Sequence, residues 1–255
     1  MSKVLVCPVA YNENVKVKGV IERFLDGGLD RLADCLIVDD ASDDGTSGII
    51  AGYAPRGIRS IRHETRRGVG SAIRTAIKQA RQEGYDALLI MAGNGKDDPK
   101  EIPDLINPIL NGHYDFVQGS RYKAAGRPGS YGARGGAPAI RGAMPFYRRL
   151  ATRVHPWMMS LIARRRVSDS TNGFRAFRLS IFDDPQINID QPWLDHYELE
   201  PYLLYKVLKL GYKFTEVPVT KVYPPKSLGY TKMRPFIDWW SILRPLVYLG
   251  LGLKK

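Results

Sequence analysis

The chain holds only two cysteines in 255 residues, Cys7 and Cys35. Both fall in apolar strand-like runs, so buried free thiols fit better than a disulfide framework. The four histidines, His63, His113, His155 and His196, lack the spacing of a metal site. No apolar run reaches the roughly 18 residues of a membrane-spanning helix. The longest uncharged stretch near the C-terminus, 245–253, has nine residues. A signal-peptide pattern and an internal repeat are both missing. These absences point to a soluble or peripheral protein, expected at the cytoplasmic face of a membrane. Acid is nearly absent from one window: between Arg121 and Arg178 there are 13 Lys or Arg residues and only Asp169, giving +12, the net charge of the whole chain. Such a concentration points to phosphates on a nucleic acid, a lipid surface or a phosphorylated substrate.

The remaining composition is ordinary for a globular protein, with 44% hydrophobic and 25% charged residues. Over the first 120 residues strand and helix patterns alternate, the signature of a parallel sheet. Strands are expected at 3–9, 36–40, 58–61, 87–91 and 115–119. Helices are expected around Val17–Leu25, around Ile73–Ala80 and from Pro99. The Gly-, Ala-, Pro- and Arg-rich segment 123–142 reads as a mobile loop. Phe146, Leu150, Val154, Trp157, Met158, Leu161 and Ile162 then form a helical stripe flanked by arginines. Two readings stay open for it: a helix packed on the core with a solvated basic face, or an interfacial helix on anionic lipid. A helix over 197–210, a strand over 214–219 and an aromatic C-terminal segment, 234–253, complete the chain.

The most informative stretch is Leu36-Ile37-Val38-Asp39-Asp40-Ala41-Ser42-Asp43-Asp44-Gly45-Thr46. An apolar strand ends there in carboxylates, and in an open α/β sheet the carboxyl ends of strands are where ligands bind. Asp39, Asp40 and Asp43 are placed to accept hydrogen bonds from a ribose or base. The competing reading is a plain strand followed by a helix capped by Ser42 or Asp44.

Val6-Cys7-Pro8-Val9-Ala10-Tyr11-Asn12-Glu13, together with that strand, resembles the Pro-x-x-Tyr-Asn-Glu and Val-Asp-Asp-x-Ser-x-Asp-Gly-Thr segments of the family-2 glycosyltransferases of GT-A fold. Gly68-Val69-Gly70-Ser71-Ala72-Ile73 is similar to that family's third element. The later motifs resemble the dolichyl- or polyprenyl-phosphate sugar synthase branch. They are Gly119-Ser120-Arg121-Tyr122, Tyr147-Arg148-Arg149-Leu150-Ala151-Thr152-Arg153, Asp169-Ser170-Thr171-Asn172-Gly173-Phe174-Arg175, Glu200-Pro201, Glu216-Val217-Pro218-Val219 and Lys226-Ser227-Leu228-Gly229-Tyr230-Thr231-Lys232.

The resemblance implies a mostly parallel α/β sheet flanked by helices, with amphipathic interfacial helices at the C-terminus. One catalytic domain would span 1–233, with a nucleotide-sugar half at 1–122 and an acceptor half at 123–233. An amphipathic segment, 234–255, would follow. The implied donor is a nucleotide sugar of GDP-mannose or UDP-glucose type. Pro8, Ala10, Tyr11, Glu13, Asp39, Asp40, Gly70, Ala92, Gly93 and Asn94 would lie around it. The implied acceptor is a polyprenyl phosphate on a membrane contacted peripherally. Lys96, Arg121, Arg148, Thr152, Asp169, Glu200, Lys226 and Lys232 would act on the two phosphate groups and the transfer. With a hydroxyl acceptor instead, Glu200, Asp169 or Asp195 would serve as base. A non-catalytic nucleotide-binding module is a further alternative, and nucleic acid is not an expected partner.

The pattern breaks at one place. The family's metal-binding Asp-x-Asp-x-Gln falls on Ala92-Gly93-Asn94-Gly95-Lys96, where both carboxylates are gone. Mg²⁺ and Mn²⁺ favour oxygen ligands, carboxylates above all. Three readings stay open: Lys96 supplies the missing positive charge, Asn94 with Asp97 or Asp98 forms a shifted metal site, or the chain binds nucleotide without catalysis.

Overall fold

The computed structural model describes residues 2–123, 140–141, 146–223 and 237–254, the backbone alone for 140–141, 146–149 and 237. The strand-helix alternation is realised as β1 (Val4–Ala10), α1 (Asn14–Asp26), β2 (Asp34–Asp39), α2 (Thr46–Ala51), β3 (Ile58–Arg62), α3 (Val69–Gln82), β4 (Ala87–Ala92) and α4 (Ile102–Leu110). After it come β5 (Phe116–Ser120), β6 (Ile140–Arg141), α5 (Phe146–Ala163), β7 (Arg175–Arg178), α6 (Leu199–Lys209), β8 (Phe214–Pro218), β9 (Lys221–Val222) and α7 (Ile237–Gly250). The central sheet runs β3-β2-β1-β4-β7-β5-β8, and β6 pairs with β9 separately. Its strands are parallel apart from β7, which lies antiparallel between β4 and β5. The segment 124–139 of the expected loop lies outside the described residues.

Both faces of the sheet are covered, which explains why β1, β2 and β4 are apolar at nearly every position. Leu5, Cys7, Leu36, Val38, Leu88 and Ile90 face α3, α5, α6 and α7. Val4, Val6, Ile37 and Leu89 face α1, α2 and α4. Burial of Cys7 and Cys35 desolvates both thiols and raises their pKa, so they behave as small apolar groups.

The antiparallel strand was not foreseen. Arg175 and Arg178 bound its four residues, whereas Phe174, Ala176 and Phe177 are fully buried. Arg175 is itself 1% exposed, which becomes tolerable because its guanidinium donates to Asn172 O (2.7 Å) and Glu200 O (3.0 Å) and pairs with the Glu200 carboxylate (3.1 Å).

Helix α5 packs on the core with Arg153 solvated, and Met158 and Ile162 of the stripe lie against that core, while the rest of the described stripe is exposed. Thr152, His155, Met159 and Ala163 form the buried face, while Leu150, Val154, Trp157 and Leu161 are exposed beside Arg153. Helix α7 lies on protein along one side, burying Leu246 and Leu249 and pinning Arg244 and Ser241 to Glu198 at 2.5 Å each. Trp240, on its other side, is exposed. Among the described residues no helix is long and apolar enough to cross a membrane.

Two tests follow from this packing. Gly70, at the start of α3, lets the 194–196 backbone pass, and a Cβ there would meet Leu194 O at 2.0 Å. Gly70→Ala should therefore destabilise the fold by about 3 kcal/mol, seen as a lower urea midpoint. His155 ties α5 to its neighbours: Nε2–H donates to Ile242 O (3.2 Å) and Nδ1 accepts from Ser170 (2.7 Å). Burial pushes its pKa down to about 4 from 6.5. Because the folded value is lowered, the unfolded chain takes up the proton first and stability falls as pH drops from 6.5 to 4. Urea midpoints measured across that window should fall more steeply for the wild type than for His155→Gln, by up to about 3 kcal/mol.

Candidate active site

The carboxyl ends of β1, β2, β4, β5 and β8 share one edge of the sheet, and the antiparallel β7 brings the 169–174 turn to that edge from the other direction. The loops after β1 and β2 are laced together. Asn12 exchanges hydrogen bonds with Asp43 at 2.7 and 2.9 Å, and its N–H donates to Ser42 (2.9 Å). Glu13 N–H donates to Thr46 (2.8 Å), and the Glu13 carboxylate pairs with Lys16 at 3.0 Å. Asn12 and Ala41 hold left-handed backbone, φ 53° and 61°. For Ala this is a sparsely populated conformation, kept by the surrounding bonds. Tyr11 carries the Arg66 guanidinium over its ring at 4.1 Å. Pro8 and Ala10 are buried in β1, with Ala10 O accepting from Asp40 N–H.

Asp39 and Asp40 divide their work. Asp39, at the strand end, accepts from the Ser42 N–H (3.1 Å) and from the Ser42 and Ser47 hydroxyls. Asp40 turns to the start of α3, where it accepts from Arg67 N (2.9 Å), Gly68 N (2.8 Å) and His63 Nδ1 (2.8 Å). It staples β2 to that loop. Gly70 likewise serves close packing.

At the end of β5, Arg121 forms a two-pronged pair with Asp169: Nε to Oδ2 and Nη2 to Oδ1, each 2.7 Å. Nη2 also donates to Thr171 (2.6 Å) and Nη1 to the Tyr223 hydroxyl (3.3 Å). Burial alone would lower the Arg121 pKa, but Asp169 more than offsets it and the net direction is upward. Asp169 is 0% exposed, and its lone pairs are taken by Arg121 and Thr171. Asp169 thus holds the Arg121 side chain in place. Glu200 is engaged by Arg175, and Asp195 by Arg74 at 2.6 Å. Thr152 reaches the site through a 2.5 Å hydrogen bond with the Tyr122 hydroxyl. The Arg148 side chain, Lys226 and Lys232 lie outside the described residues.

Asn94, Asp97 and Asp98 are not gathered into a ligand set. Asn94 Oδ1 accepts from Lys96 N (3.1 Å), and Asp98 caps the following turn by accepting from Lys100 N (3.1 Å). Asp97 is fully buried, accepting from Ala92 N (3.0 Å) and from the Lys221 ammonium (2.5 Å). Among the described residues no group of three or more His, Cys, Asp or Glu side chains could hold a metal ion. The burial of Asp97 against Lys221 weighs against the shifted-site reading.

Sequence reasoning missed Tyr223 and Lys221. Lys221 binds Asn172 Oδ1 (3.0 Å) as well as Asp97, and the Lys96 ammonium lies 5.8 Å from the Tyr223 ring centre. The lysine that opens β9 and the aromatic that follows it were the available signal. Asp169→Asn would leave the Arg121 guanidinium buried without its counter-charge, which costs about 3–5 kcal/mol. A urea midpoint equal to the wild type's would contradict this role for Asp169.

The glycosyl transferase family 2 model matches residues 6–184. A UDP-N-acetylglucosamine–dolichyl-phosphate N-acetylglucosaminyltransferase of Methanococcus voltae is 27% identical over 236 residues, 86% of each chain. An undecaprenyl-phosphate mannosyltransferase of Micrococcus luteus is 27% identical over 233 residues, 91% of this chain and 87% of its own. Among solved structures, glucosyl-3-phosphoglycerate synthase of Mycobacterium tuberculosis, in complex with Mn²⁺, uridine diphosphate and glucosyl-3-phosphoglycerate, superposes with a TM-score of 0.64 at 18% identity, covering 98% of this chain and 79% of its own. That likeness shows the shared GT-A fold. With a matching family model across more than half its length, the chain belongs to glycosyl transferase family 2.

Proposed function

We propose that this glycosyltransferase moves a sugar from a nucleotide sugar, of GDP-mannose or UDP-glucose type, to a polyprenyl phosphate with inversion at the anomeric carbon. The observation that carries this reading is the state of the acids. Asp169, Asp195 and Glu200, the three candidates for a general base, are each engaged by an arginine. A hydroxyl acceptor needs a base to take its proton. A phosphate acceptor is already ionised and needs none. Its oxygen attacks the anomeric carbon as the bond from that carbon to the donor diphosphate breaks, and the nucleoside diphosphate leaves with the bonding pair. The names of the two relatives above, both polyprenyl-type phosphate transferases, support the same acceptor class.

In this reading residues 1–122 hold the donor, with Tyr11, Glu13 and Asp39 toward the base and ribose. Residues 123–233 hold the acceptor, with Arg148, Thr152, Lys226 and Lys232 toward its phosphate. The outer face of α5 supports a peripheral membrane position. Leu150, Val154, Trp157 and Leu161 are exposed along one stripe, and Arg153, Arg164, Arg165 and Arg166 lie exposed around it. Apolar side chains entering the headgroup region beside arginines suit an anionic bilayer.

The test is sugar transfer from labelled GDP-mannose, UDP-glucose and UDP-N-acetylglucosamine to polyprenyl phosphate in anionic liposomes. One donor should yield a lipid-linked phosphosugar. Replacing Trp157 and Leu161 together by Asp should lower vesicle binding and transfer at least about tenfold while leaving nucleotide affinity intact. Transfer to a glycan or glycolipid hydroxyl, but to no lipid phosphate with any donor, would overturn the acceptor assignment.

A further inference from the structure

At the carboxyl end of β4, where a divalent cation would need oxygen ligands, this chain presents an ammonium group. Ala92 and Gly93 have no ligating side chain. The Asn94 side-chain oxygen is engaged by the Lys96 N–H, and Asp97 is turned inward at 0% exposure. Mn²⁺ and Mg²⁺ take about six oxygen ligands, usually with one or two carboxylates among them, and this donor set does not fit either ion. The Mn²⁺-bearing structural neighbour therefore shares the fold with this chain but not the chemistry of its cation.

The segment bearing Lys96 is held on three sides. Its N–H donates to Asn94, its carbonyl accepts from Val222 N–H (2.9 Å), and the next residue, Asp97, forms an isolated bridge with Lys221. The Lys221 ammonium lies between Asp97 Oδ1 (2.5 Å) and Asn172 Oδ1 (3.0 Å), so its charge is spent inside the protein. The Lys96 ammonium, at 8% exposure, lies 5.8 Å from the ring centre of Tyr223, whose hydroxyl accepts from Arg121 across the site. We infer that Lys96 places on the donor diphosphate the positive charge that a divalent cation would otherwise place there. The buried Lys221–Asp97–Asn172 contact is the positioning device that fixes its loop. The inference rests on the nucleotide-sugar part of the proposed function and is independent of its acceptor.

Charge at the leaving group is balanced without a metal, whichever acceptor attacks. As the sugar–diphosphate bond breaks, the electron pair stays on the leaving diphosphate. A fixed ammonium in a water-poor site then stabilises the added charge without reorganising. A lysine supplies a compact point charge suited to phosphate oxygens.

Calorimetric titration of the full chain with UDP and GDP, first in excess EDTA and then in Mn²⁺, tests this directly. At least one nucleotide should bind equally in both conditions. Lys96→Gln should weaken that binding in EDTA about tenfold to a hundredfold, the loss of one charge-assisted hydrogen bond, and Lys96→Arg should retain most of it. Lys221→Met should weaken binding with Lys96 in place, and Lys221→Arg should restore it. Binding that appears only with Mn²⁺, wild-type affinity in Lys96→Gln, or no binding of either nucleotide would each overturn the inference. Wild-type affinity in Lys221→Met would overturn the positioning role. Because no acceptor is present, a failure of lipid-phosphate transfer leaves these outcomes intact, and lipid transfer that requires Mn²⁺ would sink this inference alone.

Discussion

A buried guanidinium has five N–H donors in a fixed plane, and leaving them unmatched costs several kcal/mol. Arg121 meets that demand with residues from two places: Asp169 and Thr171 in the turn before β7, and Tyr223 after β9. Those contacts fix where the 169–174 turn sits, and the turn fixes where β7 enters. Since β7 bonds to both β4 and β5, the strands before and after it share one continuous sheet. That part of the sheet is therefore built around a single ion pair whose removal would disturb the whole seam.

Electrostatics at the ligand edge follow from how the carboxylates are used. Asp40, Asp97 and Asp169 each spend their lone pairs on protein N–H groups or ammonium and guanidinium partners. Glu216 does the same with Ser168 and Asp169 N–H donors, although burial, the larger effect, still raises its pKa. Acids that would repel a diphosphate are thus neutralised within the fold. Backbone held in the left-handed region at Asn12 and Ala41 stays fixed for the same reason, since the loops carrying it are bonded across β1 and β2. A preorganised site of this kind reorganises little when charge moves.

The parallel strands and most helices were legible because two-sided burial writes itself as apolar runs and one-sided burial as a 3.6-residue period. Strand β7 was not, because Arg175 is tolerated in the interior only through Glu200 and the Asn172 carbonyl, partners that no local pattern reveals. Periodicity found the stripe on α5 but not its direction, since sequence does not say which side of a helix meets the sheet. At the site the same limit applied. Asp97 looked like a metal ligand until Lys221, 124 residues away, proved to hold it. Residue types at strand ends were readable, whereas which carboxylates face outward is a property of the tertiary fold.

Helix α5 connects the two demands that the proposed reaction makes. Its inner face carries Thr152, bonded to Tyr122 one residue past Arg121, and His155, bonded to Ser170 in the neighbouring turn. Its outer face carries Trp157 and Leu161. A polyprenyl phosphate has the same division, an apolar chain that stays in lipid and a charged head that must reach the reacting sugar. Under the proposed function, a helix about 10 Å across lying flat with its apolar stripe in the headgroup region would hold Thr152 and His155 just above the bilayer. The acceptor phosphate would then need to rise only by about that thickness to meet the strand ends. The exposed stripe would thereby set the height of the site over the membrane, and that height would decide whether a lipid-borne phosphate can reach it.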